Sequence, residues 1–196
     1  MTAGITLDAL RLHLAEIVRF TWPEEWSSHI AQVEAAVLIP LLEHADGWHV
    51  VLTRRAEHLH HHAGQVSFPG GRFEDEDASL TTTALRETHE EIGVPAEAVE
   101  VLGVLPAFST PSGFRITPVL GCLQPSVSFV PDSFEVAGIF EVPLSFLLQR
   151  ENYQRHRICW QGGVRHVYAI PYRGHFIWGA TAGMLHGLAN FIHARG

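Results

Sequence analysis

GGRFEDEDASLTTTALRETHEEIGV, residues 70–94, is the stretch on which both the fold and the chemistry turn. Good helix formers fill residues 78–92, Gly93 stands where a C-terminal cap is wanted, and Pro95 forbids continuation, so a helix is predicted over 78–92. On that helix Glu87, Glu90 and Glu91 fall at i, i+3 and i+4 and share one face. Carboxylates grouped in this way repel one another. A purely structural helix gains from interleaved lysines, whereas a hard divalent cation needs oxygen ligands gathered together. The glycine pair of FPGG, residues 68–71, lets the main chain come close to the same place and bring backbone carbonyls to it.

Upstream, residues 33–42 (VEAAVLIPLL) and 48–55 (WHVVLTRR) read as strands joined by HADG, whose Asp46-Gly47 pair suits a hairpin turn. GQVSFPGG, residues 64–71, reads as a short strand running into a Pro-Gly-Gly turn. Downstream, strands are expected at 99–108 and 115–123, a helix at about 143–150, a hairpin of 153–160 with 164–170, and a closing helix over about 177–194. Leu7, Leu10, Leu14, Ile17 and Val18 recur at helical spacing, which predicts an amphipathic N-terminal helix on the outside of the core. Strands arrive mainly as hairpins and helices do not follow every strand. That pattern is α+β, a mixed sheet with helices packed on its faces.

The chain has 196 residues, 46% of them hydrophobic and 17% charged, which suits one domain with a sizeable core. A formal net charge of −8 argues against broad nucleic-acid binding, which needs Lys and Arg massed on one face. No apolar run approaches the ~20 residues that span a bilayer, and the first residues lack a basic start followed by an apolar segment. No membrane partner and a cytoplasmic location are expected. Cys122 and Cys159 lie in strand-like stretches and are expected to be reduced core thiols.

Residues 70–94 resemble the Nudix box: Gly, five residues, Glu, seven residues, then Arg-Glu-x-x-Glu-Glu-x-Gly. Arg86, Glu87, Glu90, Glu91 and Gly93 match. Counted from Gly71 the segment is one residue longer than the pattern; the position eight before Arg86 holds Ala78, and Asp77 is the nearest acid. The resemblance implies a Nudix-like mixed β-sheet sandwiched between helices. It also implies hydrolysis of a nucleoside diphosphate linked to a second moiety, with magnesium as cofactor and manganese able to substitute. By the same resemblance Glu87 and Glu91 bind the metal, Glu90 is a third ligand or acts through water, and the Gly71 carbonyl lies close by. Arg86 orients carboxylates, and Glu135 supplies the base, with Glu141 its rival. For Glu141 the competing reading is a cap on the helix that begins near Pro143.

A second resemblance bears on the substrate. VLTRRAEHLHHHAGQVSFPGG, residues 51–71, is similar to the signature of the coenzyme A pyrophosphatase branch of Nudix proteins. Leu52, Thr53, Arg55, Gly64, Gln65, Phe68, Pro69, Gly70 and Gly71 agree with it, while Ala56 and His60 stand where it has Ser and Arg. FEVPLSFLL (140–148) and IWGATAGML (177–185) are similar to further stretches of that branch. The resemblance implies coenzyme A or an acyl-CoA as the small-molecule partner, cut at the pyrophosphate. It implies a catalytic core over residues 33–190, preceded by a helical extension over 1–30. Substrate phosphates call for cations, and Arg55, Arg54, Arg72 and His60 are the candidates, with Arg115 in reserve. The loop FSTPSGF, 108–114, is a candidate contact for the adenine or the pantetheine arm. The cluster His58, His60, His61 and His62 is open to three readings: a metal site, a phosphate contact or a solvated loop. The rivals are a Nudix hydrolase for NADH, ADP-ribose or a nucleoside triphosphate, and a binding module that has lost catalysis. The second would be expected to have damaged the helix acids, all three of which remain.

Overall fold

A computed structural model describes Trp22, residues 33–160 and residues 163–193. The helix expected over 5–18 lies outside the described residues. Strands β1 (Val33–His44) and β2 (Gly47–Arg55) form the first hairpin. Its turn sits on Ala45-Asp46, one residue earlier than expected, because His44 pairs with Gly47. Then come β3 (Val66–Ser67), β4 (Gly70–Arg72), helix α1 (Leu80–Ile92), a 3-10 turn at Ala96–Ala98, and strands β5 (Val99–Val104), β6 (Phe108–Ser109) and β7 (Phe114–Leu123). The chain continues with β8 (Val136–Pro143), α2 (Leu144–Leu147), a 3-10 turn at Arg150–Asn152, β9 (Gln154–Trp160), β10 (Gly163–Tyr172), β11 (His175–Trp178) and α3 (Gly179–His193).

The main sheet runs β3-β2-β1-β7-β5, with β8 added on β2, β4 on β1 and β6 on β7. It is mixed, because β1 and β7 run parallel while the other pairs are antiparallel. A strand buried on both faces reads as a continuous apolar run, which explains VEAAVLIPLL at its centre. One face of β1 (Ala36, Leu38, Leu42) joins Val51, Val119 and Leu123 and packs against Ala84 and Ile92 of α1. The other face (Ile39, Leu41) joins Val50, Leu52 and Leu120 and packs against Leu144 and Leu147 of α2 and Met184, Leu185 and Leu188 of α3. Ile170 and Ile177 carry the second sheet, β11-β10-β9, into that same cluster. The arrangement is the α+β mixed sheet between helices that the hairpin pattern implied.

Several sequence expectations change. Residues 136–143 form a strand that the sequence pattern did not mark, antiparallel to β2 from His49↔Pro143 to Arg55↔Val136. Residues 175–178 are a strand and not the start of the last helix. Arg173 (φ 45) and Gly174 (φ 85) both take left-handed backbone, which makes the two-residue turn that pairs Tyr172 with His175. The helix expected over 143–150 is a single turn. Asn152 Nδ2 donates to the Phe146 carbonyl (2.8 Å) and the Tyr153 hydroxyl donates to the Leu147 carbonyl (2.7 Å), taking acceptors that a longer helix would use. The strand expected over 99–108 breaks after Val104 and resumes at Phe108. Neither cysteine is in a disulfide, as expected, and Cys122 is buried. Cys159, however, is exposed, on β9 at the outer edge of the small sheet. No described helix is long and apolar enough to cross a membrane.

Candidate active site

Helix α1 starts where Ser79 caps it, its Oγ accepting from the Thr82 amide at 3.1 Å, and stops at Gly93 (φ 72), whose amide donates to the His89 carbonyl. Of the three glutamates on this helix, Glu91 is buried, Glu87 is half-buried and Glu90 is exposed. The glycine turn approaches them from β4. Gly70 (φ 154) packs so tightly on Ala36 and Val37 of β1 that a Cβ would overlap both, and a Cβ on Gly71 would overlap the Glu87 carboxylate. Only glycine fits at position 70, while a side chain at 71 would push the Glu87 carboxylate aside. The turn is pinned from behind as well: the Pro69 carbonyl accepts from the Leu38 amide at 2.9 Å, and the Val66 carbonyl accepts from the Thr181 hydroxyl of α3 at 3.2 Å.

Arg86 organises the cluster. Its Nε donates to Asp77 Oδ1 (3.0 Å), one terminal nitrogen to Asp77 Oδ2 (3.1 Å) and to the Arg72 carbonyl (3.1 Å), and the other to Glu87 (3.0 Å) and Glu90 (2.9 Å). A planar five-donor fork is needed for this, and Lys has none. Asp77 is buried, accepts also from the Thr83 hydroxyl (2.8 Å) and the Glu74 amide (3.1 Å), and is held down at about 2, first by its bond to Arg86. The Glu74–Asp77 turn that presents this acid is closed by the Asp77 amide on the Glu74 carbonyl (3.0 Å).

Glu91 is nearly fully buried, with a side chain 4% exposed, and burial raises its carboxyl to about 8 against the opposing pull of Arg55. Its Oε1 lies 3.6 Å from an Arg55 terminal nitrogen, while its Oε2 is buried with no hydrogen-bond partner, as is Arg55 Nε. Glu87 is raised too, by burial first, with Glu90 and Glu135 adding repulsion. Glu91 keeps one buried oxygen without a hydrogen-bond partner, and it and Glu87 repel each other, so as a donor set these carboxylates fit a magnesium-class ion.

Glu135 is held at the rim of this cluster. Its carbonyl accepts from the Ala56 amide (2.8 Å) and its amide donates to the Asp132 carbonyl (3.1 Å), and the same loop docks on the end of α1 through the Asp132 and Val130 amides. It is near enough to Glu87 and Glu91 to raise both. Glu141 does not cap a helix. Pro143 stands at the start of α2 without a side-chain bond, and Glu141 lies on β8 with His44 Nε2 at 2.5 Å.

The candidate phosphate contacts part company. Arg55 joins the cluster, whereas Arg54, the next residue on β2, is exposed and alternation turns it to the opposite face. Arg72 gives its carbonyl to Arg86 but lays its guanidinium 5.4 Å from the centre of the Phe114 ring, beside the 108–114 loop. Arg115 is taken by Glu34 at 3.0 Å, and His60 is exposed in the loop after β2. His58 of that loop packs on the exposed ring of Phe134 at 4.8 Å, next to Glu135. Among the described residues, no three ligand atoms of the 58–62 histidines converge as a metal set. Sequence reasoning misses Asp77 as a partner of Arg86 and Phe134 as a rim aromatic. Only the acid's one-place displacement hints at the first.

The NUDIX domain matches residues 32–159. The chain is 44% identical over 156 residues to a protein described as uncharacterized Nudix hydrolase NudL from Enterobacter sp. (strain 638), covering 80% of this chain and 81% of that one. It is 39% identical over 188 residues to the NudL protein of Salmonella paratyphi B, covering 96% and 95%. Among solved structures it is similar to a Nudix hydrolase from M. smegmatis, RenU, with TM-score 0.56, 19% identity, and 90% and 96% of the two chains covered. It is also similar to DR0079 from Deinococcus radiodurans, with TM-score 0.52, 15% identity, and 82% and 86% covered. At those identities the structural likeness speaks for the fold, while the domain match and the NudL relatives carry the family. The chain belongs to the Nudix family of hydrolases, which act on pyrophosphate bonds.

Proposed function

We propose that this Nudix hydrolase cuts the pyrophosphate of coenzyme A or an acyl-CoA, releasing adenosine 3′,5′-bisphosphate and (acyl-)4′-phosphopantetheine, with magnesium as its metal and manganese able to substitute. The observation that carries the reading is Arg55. It belongs to the 51–71 signature, stands 3.6 Å from Glu91, and has a buried Nε without a partner. A phosphate oxygen supplies that nitrogen with an acceptor. On this reading residues 33–190 are the catalytic core, residues 1–30 an extension, and the protein works in the cytoplasm.

Glu87 and Glu91 would hold the metal, with Glu90 assisting directly or through water and the Gly71 carbonyl close by. A bound magnesium ion withdraws charge from pyrophosphate oxygens and lowers the pKa of a coordinated water. Arg86 keeps Glu87 and Glu90 in register through bonds of 3.0 and 2.9 Å. Glu135 takes the proton of the attacking water, a role its rim position beside Glu87 and Glu91 supports. Glu141, paired with His44, is the weaker choice. Glu135→Gln is therefore expected to lower kcat by about 10²-fold or more with KM changed little, because the loss falls on the chemical step. Steady-state rates on Glu135→Gln and Glu141→Gln decide the assignment, and a loss confined to the second reverses it.

The substrate is tested by turnover of coenzyme A, dephospho-CoA, NADH and ADP-ribose with millimolar magnesium, the products identified by mass. Coenzyme A is expected to be preferred. Loss of the 3′-phosphate is expected to cost about one to two decades in kcat/KM if a buried cation reads it. Faster turnover of NADH or ADP-ribose removes coenzyme A as the substrate and leaves the hydrolase.

A further inference from the structure

Away from the glutamate cluster, β1, β2 and β8 bring three metal-binding side chains together. His44 closes β1, His49 opens β2, and Glu141 lies on β8. Register puts all three on the face that carries α1, since His49 pairs with Leu42 and Glu141 with Val51, both of which pack in the α1 cluster. Val51 and Arg55 are four residues apart on β2, so this group stands roughly 13 Å along the strand from the Arg55 end. It is separate from the proposed magnesium site.

One ligand atom from each of the three lies within 4.8 Å of the others. His44 Nε2 is 2.5 Å from Glu141 Oε2, and the two imidazoles meet edge to face with centroids 4.6 Å apart. The His49 side chain is only 12% exposed, and its Nδ1 is buried with no hydrogen-bond partner, while its Nε2 is 3.7 Å from Asp46. Buried ring nitrogens in folded proteins are normally paired. Ion pairing between His44 and Glu141 accounts for two of the residues and leaves His49 Nδ1 unexplained.

We propose that His44, His49 and Glu141 form a second metal site, one that takes a zinc-class divalent cation with a water in the fourth position. Two imidazoles and one carboxylate are a donor set for zinc and its neighbours, while magnesium prefers oxygen alone. Metal bonds of about 2.0–2.1 Å in tetrahedral array put donor atoms about 3.3 Å apart. The spacings present, from 2.5 Å to under 4.8 Å, bracket that value, and His44, 40% exposed, has room to adjust. The ion ties β8 to the β1–β2 hairpin. The two sites then sort cations by hardness.

The test uses the full chain, stripped of metal and then held in excess magnesium so that the box acids are occupied. Titration with Co2+, followed by its visible absorption, and competition with Zn2+ are expected to give one saturable equivalent with the intense bands of a low-coordinate nitrogen-containing site. Zinc is expected to raise Tm. His44→Ala, at an exposed position, and Glu141→Gln are each expected to weaken zinc binding at least tenfold and to abolish the Tm shift, and Glu87→Gln to leave both unchanged. No saturable binding under excess magnesium overturns the proposal. So does binding that survives His44→Ala, or that is lost in Glu87→Gln.

Discussion

Glu87→Gln and Glu91→Gln are each expected to leave a folded protein whose turnover falls on the order of 10³-fold, because metal stabilisation of the transition state is worth several kcal/mol. The fold does not depend on either charge. Burial and mutual repulsion push both carboxyls upward, Glu91 to about 8, so in the metal-free protein their ionisation opposes folding. The sign follows from linkage: the unfolded Glu91 ionises near 4.5 and the folded one near 8, so stability present below the first value is lost as pH rises through the second. Glu91→Gln removes that loss. Thermal melts in chelator are expected to give a Tm at pH 8 at least equal to the parent, and a smaller difference near pH 4.5. Unfolding of the Gln variants, or near-normal rates, removes these residues from the metal site.

Asp77→Ala is expected to produce the largest loss of stability, about 3 kcal/mol, since it leaves Arg86 without its bidentate partner and Thr83 and the Glu74 amide without an acceptor. Arg86 then loses the anchor that aims it at Glu87 and Glu90, so kcat falls too. The pH dependence is separate and runs the other way from that of Glu91. Asp77 titrates at 3.8 when unfolded and at about 2 when folded, so its contribution, about 2 kcal/mol, is present above the first value and lost as pH falls toward the second. Denaturant melts at pH 7, 4 and 2.5 are expected to show the parent and Asp77→Ala converging at the acid end. A pH-independent difference between them refutes the ion-pair account.

The sequence by itself determined the elements whose causes are local. The stop at Gly93 and the i, i+3, i+4 spacing of Glu87, Glu90 and Glu91 act within a few residues, so helix α1 and its acidic face are legible in the residues alone, although its start falls at Leu80 behind the Ser79 cap and not at 78. The same holds for the hairpin pattern that implied an α+β sheet and for the close main-chain approach at Gly70-Gly71, which is made by strand β4 and not by a turn. What only the tertiary structure decided depends on residues far apart in the chain meeting, or on backbone choices with no unique residue signature. Strand β8 needed the exposed edge of β2 to pair with, and the left-handed turn at Arg173-Gly174 made β11 out of residues whose pattern reads as helix. Strand alternation, a matter of one residue, sent Arg55 to the glutamates and Arg54 away. Asp77 met Arg86 across nine positions, and Glu141 met His44 across 97 positions instead of capping a helix. Spacing along a chain specifies contacts within a helix, whereas pairing between strands is specified by the burial of whole faces, which no short window of sequence contains.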